Sequence, residues 1–396
     1  MKKALIKEYN NLVKRHIEPL KPRNKVIVNF NNGAKVEILG KYKTSYDVEF
    51  IDKSTNVSVH KSTISNNMWT KTNIKRFIDY KIIITNTDDN TIEVHDFNAK
   101  DKKVYIHLDS KALGDTIAWF PYIEEFRKKH QCEMVVSTFH NHMFASEYLD
   151  IGFVKPGDTV YNTYAIYGVG WYYDGKGNVD KNVHIRDIKS IPLQQTASDI
   201  LGLKPIEIKP QLSFINSGSE IEGKYVCIAP HASALAKYWN YKNGWQEIVD
   251  YLNWKGYKVV MITQEPLGDA WHDSKLGGTL KNVIDKTGNF PLSERANDIM
   301  NAEAFIGVSS GLSWISWACN APTVMISGFT KEWNEFTTGQ RVYTPDNNCS
   351  GCSNKHKFDP GDWKWCPEHK DTDRMFECTT SITPKMVINK LSKYLN

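Results

Sequence analysis

The sequence predicts an α/β protein in which two Rossmann-like, doubly wound lobes face a cleft, with an N-terminal β-barrel domain and a C-terminal four-cysteine metal finger. Three observations predict it. Short strand-like runs fill the first hundred residues, a strand–loop–helix rhythm then repeats twice, and four cysteines follow at close spacing. The expected boundaries are 1–100 for a helix and the β-barrel, 101–218 and 219–345 for the two lobes, 346–380 for the finger and 381–396 for a closing helix.

In the first region, KVIVNF, AKVEILG, YDVEFID, VSVHKS, YKIIITN and TIEVHDF are rich in Val, Ile, Tyr and Phe, and turns such as Asn31-Asn32-Gly33 separate them. That spacing reads as a small antiparallel domain. A short amphipathic helix over Ala4 to His16 precedes it. In the first lobe the expected elements are a strand over 104–108, an amphipathic helix over 115–129 with Ile117, Phe120, Ile123 and Phe126 near one face, a strand over 134–136 and a helix over 141–149. In the second, strands over 225–229, 258–263, 282–285, 305–308 and 323–327 alternate with helices over 244–255, 292–302 and 311–319. Such alternation means a parallel sheet with crossover helices. Ligands of such sheets bind at the C-terminal ends of the strands.

Composition narrows the function classes. A hydrophobic fraction of 41% and a charged fraction of 24% are those of a folded globular protein. The formal charge of +5 is mild and dispersed, which argues against a nucleic-acid binder. No run approaches the roughly 20 apolar residues of a membrane span, and MKKALIKEYN lacks the apolar core of a signal peptide. A cytoplasmic location is therefore expected, where thiols stay reduced and clustered cysteines more often bind metal than pair.

Five segments carry chemistry. His107 to Asp115 joins the first strand of the first lobe to its helix: Gly114 permits close approach, Lys111 is a nearby cation, and Asp115 is either a helix cap or a cleft-facing carboxylate able to take a hydroxyl proton. After the first strand of the second lobe, a run of small residues with Ser233 ends at Lys237, which suits an anion. Glu265 follows the next strand, where acidic residues accept hydrogen bonds from a ribose. Ser310, Gly311, Leu312 and Ser313 open a helix after a parallel strand, a natural pyrophosphate seat. Finally, Cys349, Cys352, Cys366 and Cys378 have metal-ligand spacing, and four thiolates suit tetrahedral zinc or iron. P-loop and HExxH signatures are absent, and Gly168-Val169-Gly170 lacks the third glycine of a dinucleotide fingerprint.

The stretches IHLDSKALGDTIAWFPYIEEFRKKH, KYWN after PHASALA, ITQEP and VSSGLSWISWACNAPTVMISGF, together with the cysteine pattern, resemble the bacterial autotransporter heptosyltransferases, relatives of the lipopolysaccharide heptosyltransferases. The resemblance covers nearly the whole chain. It implies a GT-B fold, transfer of heptose from ADP-heptose to serines of autotransporter adhesins, an iron-binding finger and dodecameric rings. On that resemblance Asp115 is the base, Lys237 with Ser233 holds donor phosphate, Glu265 holds the nucleoside, and Ser310 to Ser313 seats the pyrophosphate with no divalent ion needed. The lipopolysaccharide enzymes carry Asp-Thr-Gly-Leu-x-His where this chain has Ser309-Ser310-Gly311-Leu312-Ser313-Trp314. Two other readings stand beside this one: a transferase with a glycan or lipid acceptor, and a non-catalytic carbohydrate-binding scaffold.

Overall fold

A computed structural model describes residues 23–395, so the expected helix over Ala4 to His16 lies outside the described residues. The chain divides into two compact units. One holds the residues up to Asn98 with Thr163–Ile166, the other Ala99–Asn162 with the remainder from Tyr167.

The first unit contains β1 (Lys25–Asn31), β2 (Lys35–Leu39), β3 (Ser45–Asp52), β4 (Val57–Ser65), β5 (Met68–Lys71), β6 (Tyr80–Asn86) and β7 (Ile92–Asp96). The strands of the expected barrel form two ladders: β2 lies antiparallel between β1 and β5, and a second sheet runs β4-β3-β6-β7, with Thr70 of β5 hydrogen-bonded to His60 and Ser62 of β4. A turn at Asn67, with a left-handed backbone (φ 61°), brings β5 back to β2, and the Asn67 N–H donates to the Ile38 carbonyl at 2.7 Å. Strand β3 keeps the period-2 pattern of a half-buried strand, with Tyr46, Val48 and Phe50 inward.

In the second unit, the first lobe comprises β8 (Lys103–Leu108), α1 (Leu113–His130), β9 (Glu133–Ser137), β10 (Ile151–Val154), the 167–169 end of β11 (Ala165–Val169) and α2 (Leu193–Leu201). Its parallel strands run β10-β9-β8, and β11 flanks β8 on the other side. Two expectations are corrected. The helix over 141–149 is a single 3₁₀ turn, Asn141–Met143, because the Asn141 side chain turns back to accept from the Thr138 N–H and to donate to the Val154 carbonyl. Helix α1 is not amphipathic in its first half: Thr116 to Ile123 are all buried, since it packs against β8, α2 and a helix of the second lobe.

The second lobe comprises β12 (Tyr225–Ala229), α3 (Gly244–Trp254), β13 (Lys258–Met261), α4 (Ala270–Leu276), β14 (Ile284–Asp285), α5 (Leu292–Met300), β15 (Ala304–Val308), α6 (Gly311–Ala318), β16 (Thr323–Ile326), β17 (Gln340–Val342), α7 (Glu377–Thr380) and α8 (Pro384–Leu391). Its six strands are all parallel in the order β14-β13-β12-β15-β16-β17. That order reverses between β12 and β15, and a crevice opens at such a switch point. Both strands are buried on every residue, as expected of a sheet covered on both faces. Cys352, Trp365, Cys366 and Phe376 belong to the same core, so the cysteine-rich segment is built onto this lobe rather than standing apart. No helix among the described residues is long and apolar enough to cross a membrane.

Candidate active site

The loops after β8, β12 and β15, with the start of α1 and of α6, line one cleft of about 820 Å³. Gly114, Asp115, Ser233, Lys237, Glu265, Ser310, Gly311 and Leu312 all line it. Two sequence candidates lie elsewhere. Lys111 places its Nζ over the Phe139 ring at 5.3 Å, and Ser313 is fully buried, donating to the Val308 carbonyl at 2.6 Å.

The two lobes meet where α1 and α6 begin. A Cβ on Gly114 would stand 2.8 Å from the Trp314 ring, and one on Gly311 would stand 2.7 Å from the Leu113 side chain. Each helix start thus carries the glycine that admits a large side chain of the other.

Asp115 is not the N-cap of α1. Ala112 holds that position, and the carboxylate sits in the first turn. Its Oδ2 accepts from Ser110 Oγ at 2.7 Å and from Trp171 Nε1 at 3.0 Å, while Oδ1 takes no hydrogen bond among the described residues. Burial pushes the carboxyl above the usual aspartate range; the Ser110 and Trp171 bonds and the charge of Lys237 draw it back.

Opposite it, Lys237 lies 3.5 Å from Ser233 Oγ, with its ammonium 5.4 Å from the Phe329 ring centre and 5.5 Å from that of Phe358. Burial lowers its pKa, and Asp115 and Glu335 raise it again. Phe358 comes from the cysteine-rich segment, which also supplies Ser353, Asn354, His356 and Pro360 to the wall.

Glu335 was missed in the sequence. It is buried, accepts from Ser309 Oγ at 2.6 Å and from Thr330 Oγ1 at 2.8 Å, and pairs with Arg341. It brings a carboxylate beside Ser309, the position where the related pattern carries Asp. On the far side of the switch point, His231 is buried with Nδ1 3.1 Å from Thr263 Oγ1 and 3.6 Å from Glu265 Oε2. Burial, helped by His272, drops its pKa to about 4, so the ring is neutral at pH 7. Arg295 lines the same end and donates to the Thr263 carbonyl at 3.2 Å. Proximity of His231, Glu335 and Arg295 to one crevice arises from the strand order, which no local pattern reports.

Cys352, Cys366 and Cys378 are buried, Cys349 is half-buried, and none is in a disulfide. The other three thiols all act electrostatically on Cys378, raising its pKa together with burial. This donor set fits a thiophilic metal in its chemistry. As the side chains stand, no three His, Cys, Asp or Glu groups among the described residues are arranged to hold an ion.

Two doubly wound lobes hold a carboxylate and a lysine in one cleft at the strand ends, and the comparisons give the class, a glycosyltransferase. The family profile described as glycosyltransferase family 9 (heptosyltransferase) matches residues 189–359. The autotransporter heptosyltransferase Aah of Escherichia coli is 36% identical over 392 residues, 96% of this chain and 96% of that one. The autotransporter heptosyltransferase BAHTCr of Citrobacter rodentium is 35% identical over 93% of this chain and 88% of its own. Among solved structures, the iron-containing dodecameric glycosyltransferase TibC of enterotoxigenic E. coli H10407 superposes with a TM-score of 0.83 at 33% identity, covering 94% of this chain and 97% of that one, and TibC is also known in complex with ADP-D-β-D-heptose. The chain belongs to the autotransporter heptosyltransferase family.

Proposed function

We propose that this chain transfers heptose from ADP-heptose to serine hydroxyls of autotransporter adhesins, with inversion at the anomeric carbon. The observation that carries the reading is Asp115 and Lys237 on opposite lobes of one cleft. The acceptor hydroxyl lies against Asp115 Oδ1, on the sugar face away from the diphosphate. As the serine oxygen bonds the anomeric carbon, Asp115 takes the hydroxyl proton, the anomeric C–O bond to the diphosphate breaks, and ADP leaves. General-base help of this kind contributes about 10²–10⁴-fold. Lys237 and the N-terminal end of α6 at Ser310, Gly311 and Leu312 hold the charge of the leaving group, with Ser233 alongside, so the positive charge comes from the protein rather than from a divalent ion. Glu265, beside the switch point, holds the nucleoside.

Cys349, Cys352, Cys366 and Cys378 are proposed to hold one structural metal, iron or zinc. The iron content of TibC supports iron. A metal there would tie the segment bearing Phe358 to the second lobe. A dodecameric assembly and a cytoplasmic location belong to the same reading, the assembly supported by the dodecamer of TibC.

The test is intact-mass analysis of adhesin fragments co-expressed with wild type or Asp115→Asn in cells making ADP-heptose. Serial heptose additions with wild type alone are expected. Absence of additions with both overturns the donor and acceptor, and identical additions with both overturn Asp115 as base.

A further inference from the structure

The segment after β11 approaches Asp115 but is no part of the sequence motif. Trp171 donates its indole N–H to Asp115 Oδ2 at 3.0 Å, and its ring lines the cleft. The next residue is fastened at both ends: the Tyr172 hydroxyl donates to Asp109 Oδ2 at 2.5 Å, and the Tyr172 N–H donates to His184 Nε2 at 3.2 Å. Asp109 in turn receives His107 Nδ1 on its other oxygen at 2.6 Å, and its N–H donates to the Val169 carbonyl at 3.2 Å. Trp119, from within α1, meets the Trp171 ring edge-on at 5.8 Å. The arrangement is a clamp. Asp109 and His184 fix Tyr172, this fixes the backbone of Trp171, and the indole then holds one oxygen of the carboxylate.

We propose that Trp171, held by the Asp109–Tyr172 contact, is a positioning residue that orients Asp115 so that Oδ1 meets the acceptor hydroxyl. This rests on the reading of Asp115 as the base. The groups facing the carboxylate are Ser110 from its own loop, Trp171, and Lys237 from the second lobe. Trp171 therefore supplies one of the two hydrogen bonds that stabilise the ionised form, and removing it moves the carboxyl higher. A base acts only when deprotonated, so the acidic limb of the rate profile must move to higher pH.

The experiment is the pH dependence of heptose transfer by the full-length chain for wild type, Trp171→Phe, Tyr172→Phe and Asp115→Asn. Trp171→Phe keeps an aromatic ring on the Trp119 side and removes the N–H donor together with the five-membered ring that carries it. It is expected to move the acidic limb up by about one unit, and so to lower kcat about tenfold on that limb, with the donor KM unchanged, the effect of losing one hydrogen bond to a charged group. Tyr172→Phe is expected to move the limb the same way by less. Wild-type profiles for both variants, with unchanged thermal melts, overturn the proposal. Full activity of Asp115→Asn overturns instead the reading beneath it, so the two failures are distinguishable.

Discussion

The starts of α1 and α6 are the same backbone feature used with opposite charge. Both helices begin at the cleft, follow a parallel strand and lack a side-chain cap, at Ala112 and at Ser310. The first turn of α1 contains Asp115, whereas that of α6 contains no acidic residue. A helix N-terminus favours negative charge. In α1 the protein supplies the charge itself, as a carboxylate able to accept a proton; in α6 the end stays open to an anion from outside. The lesson is that two like helix starts differ by whether the protein itself places a negative charge in the first turn.

The largest effect expected is on the α1 side. Asp115→Asn should lower transfer by about 10³-fold or more, within the range of losing a general base, measured as initial rate at saturating donor. On the α6 side, Lys237→Met should raise the donor KM by about tenfold to a hundredfold through loss of a charge-assisted phosphate contact, and a change in kcat alone would contradict the division. Gly311→Val probes the meeting of the two helices. Its Cβ would fall 2.7 Å from Leu113, and overpacking of this kind costs about 1–3 kcal/mol, read as a lowered Tm. The smallest effect lies in the pH profile. Burial raises the Asp115 pKa and lowers that of Lys237, so the acidic limb of kcat/KM should lie above the ordinary aspartate range and the basic limb below the ordinary lysine range. Limbs at ordinary values would show that the cleft leaves both groups hydrated.

The site was legible where chemistry follows a strand within a few residues. Asp115, Ser233, Lys237, Glu265 and Ser310 all follow hydrophobic strand patterns, in the ensuing loop or helical turn, and all line the cleft. Long-range partners were not legible. Trp171 reaches Asp115 across 56 positions of sequence and Glu335 reaches Ser309 across 26, and neither separation leaves a local pattern. The glycines at 168 and 170 were a signal: a Cβ on Gly168 would lie 2.7 Å from the His107 ring, marking a close approach rather than a dinucleotide loop. The same reason explains the first unit. Its strands are plain in the sequence, but their pairing is long-range, as where the turn at Asn67 returns β5 to β2.

The division of labour between the helix starts is tested most directly by calorimetric binding of ADP to wild type, Asp115→Asn and Lys237→Met. The account predicts that Asp115→Asn binds ADP as tightly as wild type or more tightly, having lost a negative charge in the cleft, and that Lys237→Met binds it about tenfold or more weakly. Loss of ADP binding by Asp115→Asn, or wild-type affinity of Lys237→Met, would contradict it.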